Sequence, residues 1–266
     1  VGIVSTGKCK ICGEFLEMTK EHIPPKSALN KGKIKLLDPS ETTKLLTRDK
    51  LPWEQDDLKY TISQNGMHLQ TLCKRCNNLT GRNYGSAYKD FVLSIAHIIQ
   101  EKKITTGIGV IIEYDKFNHL PVFKQIVSMF ASLSNISSRH SVVKEFILNP
   151  ESNVFPSKDI HVFINIYLDG QDGLFGPIAS SIRGSTLLTY QIKRYPLIIT
   201  MLYDYEKSKH IGFDFGYDIT HFHEYKYGDW LPQKFLMKAI ESHTFVPTEN
   251  RTKEQILRSW NYNNEE

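Results

Sequence analysis

Cysteine occurs four times in this chain of 266 residues, always within one of two knuckles, Cys9-Lys-Ile-Cys12 and Cys73-Lys-Arg-Cys76. A Cys-x-x-Cys turn presents two thiolates from one tight loop, so two such turns complete a tetrahedral set for a structural Zn2+. Gathering them around one ion closes a loop of about sixty residues and couples metal binding to the folding of everything between. Redox pairing is the other use of such cysteines. No secretory leader, membrane-spanning run or lipidation signal is recognisable, so a reducing, cytoplasmic setting and metal ligation are expected.

Between the knuckles lie Glu21-His22-Ile23-Pro24-Pro25-Lys26, and the second knuckle runs directly into Asn77-Asn78. Closing the metal site draws Glu21, His22 and Asn77 into one neighbourhood. The charge is uneven in the same sense: residues 1–104 carry 17 basic against 11 acidic side chains, and the remainder 16 against 18. A basic excess beside the cysteines suits a polyanion, although it is also what an ordinary solvated surface carries.

The organisation predicted along the chain is α+β. Residues 1–104 form a zinc-stapled module, 105–246 a separate α+β domain with an antiparallel or mixed sheet, and 247–266 a polar tail. In the first part, 26–66 reads as a loop-rich insertion with turn residues at Asp38-Pro39-Ser40 and Asn65-Gly66 and one or two short elements. Tyr88, Phe91, Val92, Ile95, Ile98 and Ile99 recur at helical spacing over 86–103. In the second, 122–133 and 142–148 read as helices. Strands are predicted over 108–114, 160–168, 186–190, 197–203 and 211–217, a flexible glycine-rich loop over 170–184 and a closing helix over 233–242.

Taken together, Cys9-x-x-Cys12, Glu21-His22-Ile23-x-Pro25 and His68-Leu69-Gln70-Thr71-Leu72-Cys73-x-x-Cys76-Asn77-Asn78-x-x-Gly81 make residues 9–85 resemble the HNH endonucleases, whose ββα-metal core is often stapled by two zinc knuckles. That resemblance implies an endonuclease hydrolysing DNA phosphodiester bonds to 5′-phosphate and 3′-hydroxyl ends. His22 would be the general base, and Glu21 with Asn77 would hold a catalytic Mg2+ or Mn2+. Asn77 stands where the family usually has a histidine, as in the His-Asn-Asn branch. His68 stands where an asparagine usually braces the catalytic histidine, so it either joins in proton transfer or packs, with Asn65 as a nearby candidate for the brace. The chemistry is sensible: neutral imidazole takes a proton from water near pH 7, and carboxylate and amide oxygens are hard donors.

Lys26, Lys74, Arg75 and Arg82 are candidate phosphate contacts to double-stranded DNA. A stand-alone nuclease with a second domain of this size resembles restriction or anti-phage defence effectors. That second domain is left open as a recognition, sensing or assembly unit, through which a homodimer or a partner protein would be contacted. His221-Phe222-His223 would place two imidazoles on one strand face, and His97 lies on a helix edge. The alternative function is a non-catalytic zinc-dependent nucleic-acid-binding protein in which the knuckles only present basic residues.

Overall fold

The computed structural model describes residues 5–37, 41, 44, 50–54, 57–182, 185–203, 214–244 and 251–264. It is a mixed α+β protein with several sheets. Strands β1 (Thr6–Lys8), β2 (Phe15–His22), β3 (Ile34–Leu37), β4 (Tyr60–Ser63) and β5 (His68–Cys73) precede the 29-residue helix α1 (Lys74–Lys102). Then follow β6 (Gly109–Phe117), α2 (His119–Leu133), α3 (Ile136–Arg139), α4 (Ser141–Leu148), β7 (Ile160–Gly170), β8 (Gly173–Ile182), β9 (Ser185–Arg194), β10 (Leu197–Tyr203), β11 (Tyr217–Asp218), β12 (Leu231–Ser242) and α5 (Lys253–Asn264). No described helix is long and apolar enough to cross a membrane.

Two small sheets belong to the first part of the chain. One has the order β1-β2-β5, and the other pairs β3 with β4 inside the predicted insertion. In the first sheet the register shifts between Thr19 and Glu21 of β2. One extra residue exchanges the two faces of a strand. Met18 and Glu21 are therefore both buried although they are three positions apart.

The insertion is closed at its base by Asn30, which is fully buried. Its Nδ2 donates to the carbonyls of Pro24 and Met67 at 2.6 and 2.7 Å, and its Oδ1 accepts from Met67 N at 2.8 Å. Three bonds from one side chain hold the end of β2 beside the start of β5. Gly66 completes the joint at φ +73°, where a Cβ would stand 2.4 Å from Asn30 Oδ1.

The large sheet is mixed, in the order β6-β12-β7-β10-β9-β8 with β11 also on β7. Only the β12–β7 pairing is parallel. A continuous apolar core runs from Cys9, Cys12, Cys73 and Cys76 through Tyr88, Phe91 and Ile95 of α1 and Phe123, Ile126 and Phe130 of α2 to Ile164, Ile199 and Phe235 of the sheet. The core thus crosses residue 104, and α1 packs along α2. Arg194 of β9 adds a polar link, donating to the carbonyls of Leu29 and Lys31 while paired with Asp172 at 2.5 Å.

Several expectations are corrected. Residues 233–242 are not a closing helix but most of β12, an inner strand. Phe235, Met237 and Ala239 are buried and alternate with exposed Leu236 and Lys238, and pairing on both sides overrides a composition of good helix formers. Residues 170–184 are mostly strand β8, which pairs with β9 and tolerates Gly176-Pro177 at a bulge because it is the sheet edge. Helix α1 begins at Lys74 and not at 86, since Gly81 and Gly85 interrupt the sequence pattern without interrupting the helix. The tail contains α5. Of the predicted strand 211–217, only Tyr217 is strand, and 211–213 lie outside the described residues, as do Asp38-Pro39-Ser40.

Candidate functional site

The four thiols converge. Their sulfur atoms lie within 4.8 Å of one another, and all four cysteines are buried. Four tetrahedral arms of about 2.3 Å place sulfurs about 3.8 Å apart; Cys12 and Cys73 sulfurs are 3.9 Å apart. That is far outside the roughly 2.05 Å of a disulfide, and the cysteines are free. The loops are built for this: Cys73 N donates to Cys9 Sγ at 3.4 Å, and Gly13, at φ +81°, turns the first knuckle so that its N–H reaches the Cys9 carbonyl. Hydrogen bonding from Cys76 pulls the Cys9 thiol down to about 4, while the same bond, followed by burial, pushes Cys76 up and burial pushes Cys12 up. Buried thiols this close cannot all ionise without a cation among them. The cluster can hold a metal ion such as zinc.

Beside it, β2, β5 and the first turns of α1 bring together three of the sequence-derived residues. Glu21, His22 and Asn77 border one cleft of about 200 Å³, with Lys20, Lys26, Thr80 and Gly81. The Glu21 carboxylate is 5 % exposed and accepts from Thr71 N, Thr71 Oγ1 and Leu72 N at 3.2, 2.5 and 3.4 Å. Burial pushes its pKa up despite those donors. Asn77 Nδ2 donates to Thr19 Oγ1 at 3.1 Å and to the Lys20 carbonyl at 3.4 Å. With the nitrogen so engaged, Oδ1 is the atom left to offer a lone pair.

His22 has one ring nitrogen committed and one bare. The Asn65 backbone carbonyl accepts from the ring, and Nε2 is buried with no partner, so the bond is made at Nδ1. A carbonyl only accepts, which puts the proton on Nδ1 and the lone pair on Nε2. Burial, followed by the neighbouring His68 charge, holds the His22 pKa below its usual value. His68 lies opposite on β5, with ring centroids 5.9 Å apart, and its Nδ1 donates to the Gly66 carbonyl at 3.2 Å.

A wider groove of about 760 Å³ continues from Asn77 and Gly81 along Arg75, Asn78, Leu79 and Arg82. Lys26, Lys74, Arg75 and Arg82 are all exposed. Arg75 is paired with Glu14 at 2.8 Å, an exposed pair that a competing anion can open at little cost. Arg82 Nε lies 3.4 Å from Asn83 Oδ1.

Other sequence candidates do not gather. His221 and His223 sit on a short 3-10 turn, not a strand, and His223 Nδ1 donates to the Asn153 carbonyl at 2.9 Å. His97 is exposed and 3.2 Å from Glu101. Among the described residues the four cysteines are the one cluster of potential metal-binding side chains found.

The sequence reading missed Thr71 as the donor to Glu21, Asn30 as the clamp, and one entire wall of the cleft. That wall is Gln125, Ser128, Met129 and Ser132 of α2. A legible signal existed: polar residues at 125, 128 and 132 share one face of a helix that is otherwise apolar and buried. No family model, curated protein or solved structure matches the chain.

Proposed function

We propose that this protein is a metal-dependent endonuclease of the HNH type, hydrolysing phosphodiester bonds in DNA, with a structural zinc on Cys9, Cys12, Cys73 and Cys76. The observation that carries this reading is the cleft beside the thiol cluster, where the lone pair of His22 Nε2, the Glu21 carboxylate and the Asn77 amide meet. An imidazole with Nδ1–H held by a backbone carbonyl is set to take a proton at Nε2 from an attacking water. Glu21 and Asn77 offer hard oxygens suited to Mg2+ or Mn2+. When bound there, such an ion neutralises charge on the phosphate and on the leaving oxygen. Arg75 and Arg82 along the groove, with Lys26 and Lys74, would hold the flanking phosphates.

The test is plasmid cleavage with Mg2+ or Mn2+. Wild type should nick or cut, and His22→Ala should lose about 10²–10⁴-fold in rate while still retarding DNA in a gel. Equal cleavage by the variant removes His22 from the mechanism.

A second reading, a zinc-dependent nucleic-acid-binding protein without catalysis, draws on one observation: three protein donors already occupy the Glu21 carboxylate. It expects the wild type to bind DNA and leave plasmid intact with either ion.

A further inference from the structure

Resting on the cation reading above, we infer that α2 supplies the far wall of a hydrated-cation chamber, with Gln125 Oε1 accepting a hydrogen bond from water bound to the ion. Gln125 is 6 % exposed and lines the cleft with Glu21, His22 and Asn77. Its Nε2 donates to Ser128 Oγ at 3.3 Å, whereas Oε1 is buried without a partner. A buried amide oxygen left so costs about 1–3 kcal/mol unless something in the cleft donates to it.

The neighbouring hydroxyl protons are already used. Ser128 Oγ donates to the Gln125 carbonyl at 2.7 Å, and Ser132 Oγ donates to the Ser128 carbonyl at 3.3 Å. Gln125 Oε1 and those hydroxyl oxygens therefore present lone pairs, opposite a carboxylate, an amide oxygen and a bare imidazole nitrogen. A phosphate oxygen, itself only an acceptor, is repelled by such a wall. The water shell of a divalent cation is its complement, because every coordinated water donates outward. Mg2+ gives up its waters reluctantly and keeps several, and about 200 Å³ accommodates roughly six at about 30 Å³ each. The phosphate approaches instead from the groove side, where Arg75, Asn78 and Arg82 lie.

The inference is tested by Mn2+ binding to the purified full chain, followed by electron paramagnetic resonance and calorimetry without DNA. Wild type should bind one Mn2+ that is lost in Glu21→Gln. Gln125→Leu, which keeps the bulk and removes the acceptor, should weaken Mn2+ binding by about tenfold, the usual scale for a partner behind the ligands. Gln125→Glu, of the same size with added charge, should tighten it severalfold. Should Gln125→Leu fail to fold by circular dichroism, Gln125→Glu decides: unchanged affinity overturns the role of Gln125. Equal Mn2+ affinity in wild type and a folded Gln125→Leu overturns it as well and leaves the nuclease reading standing. Absence of any Mn2+ bound by the wild type, or its retention in Glu21→Gln, overturns the chamber together with the cation reading.

Discussion

The Thr71 hydroxyl donates to the Glu21 carboxylate at 2.5 Å across β2 and β5, and the same oxygen lies 3.2 Å from the Ser132 carbonyl of α2. One small side chain thus links the carboxylate of the cleft to the helix that walls it. Thr71→Val keeps the shape and removes the donor. It should cost about 1–2 kcal/mol, lowering the melting temperature by a few degrees. A melting curve superimposable on that of wild type would show that the backbone donors suffice.

Cys73→Ser removes one of four sulfurs from the buried cluster. Zinc binding by such sets is worth about 10 kcal/mol or more in isolated fingers, so the variant should lose its metal by elemental analysis and melt many degrees lower. A strong chelator should do the same to wild type. Retention of one zinc per chain in the variant argues against a four-thiolate site.

Asn30→Ala leaves the carbonyls of Pro24 and Met67 and the N–H of Met67 without their partner. We expect a loss of about 3 kcal/mol, together with a fall in nuclease rate because the end of β2 carries His22. Gly66→Ala should disturb the same joint, since its Cβ would meet Asn30 backbone and side chain at φ +73°. Denaturant titration with cleavage assays checks both.

The His22 pKa is lowered from 6.5, by burial first and then by the His68 charge. A base with a depressed pKa stays unprotonated to more acidic pH, so the acid limb of the cleavage rate set by His22 should fall below pH 6.5. The linkage to stability follows the same sign. Between the folded pKa and 6.5 the unfolded chain binds more protons at this position, so the His22 contribution to stability rises with pH through that window and falls on acidification. His68→Asn should move the limb upward by removing the like charge. A limb that stays in place in His68→Asn separates His68 from the titration.

How much was legible in the sequence depended on whether the signal was local. The cysteine knuckles declared a metal cluster because two residues per turn and two turns per site are written within four-residue windows. Strands β7 and β10 were legible as β-branched runs buried on both faces. Glu21, His22 and Asn77 could be brought together on paper because the thiol cluster fixes where their segments meet. The other features depend on neighbours remote in the chain. Residues 233–242 have the composition of a helix, and only hydrogen bonding to β6 on one side and β7 on the other makes them a strand. Residues 173–182 read as loop because glycine and proline dominate, until β9 provides a partner. Asn30 is an ordinary polar residue until Pro24 and Met67 bring their backbone groups to it. The polar stripe of α2 was visible at 125, 128 and 132, but nothing in the spacing says that the cleft is what it faces. Periodicity and spacing report what a segment prefers; contacts between segments remote in sequence decide which preference survives, because burial and backbone pairing across the fold outweigh local propensity.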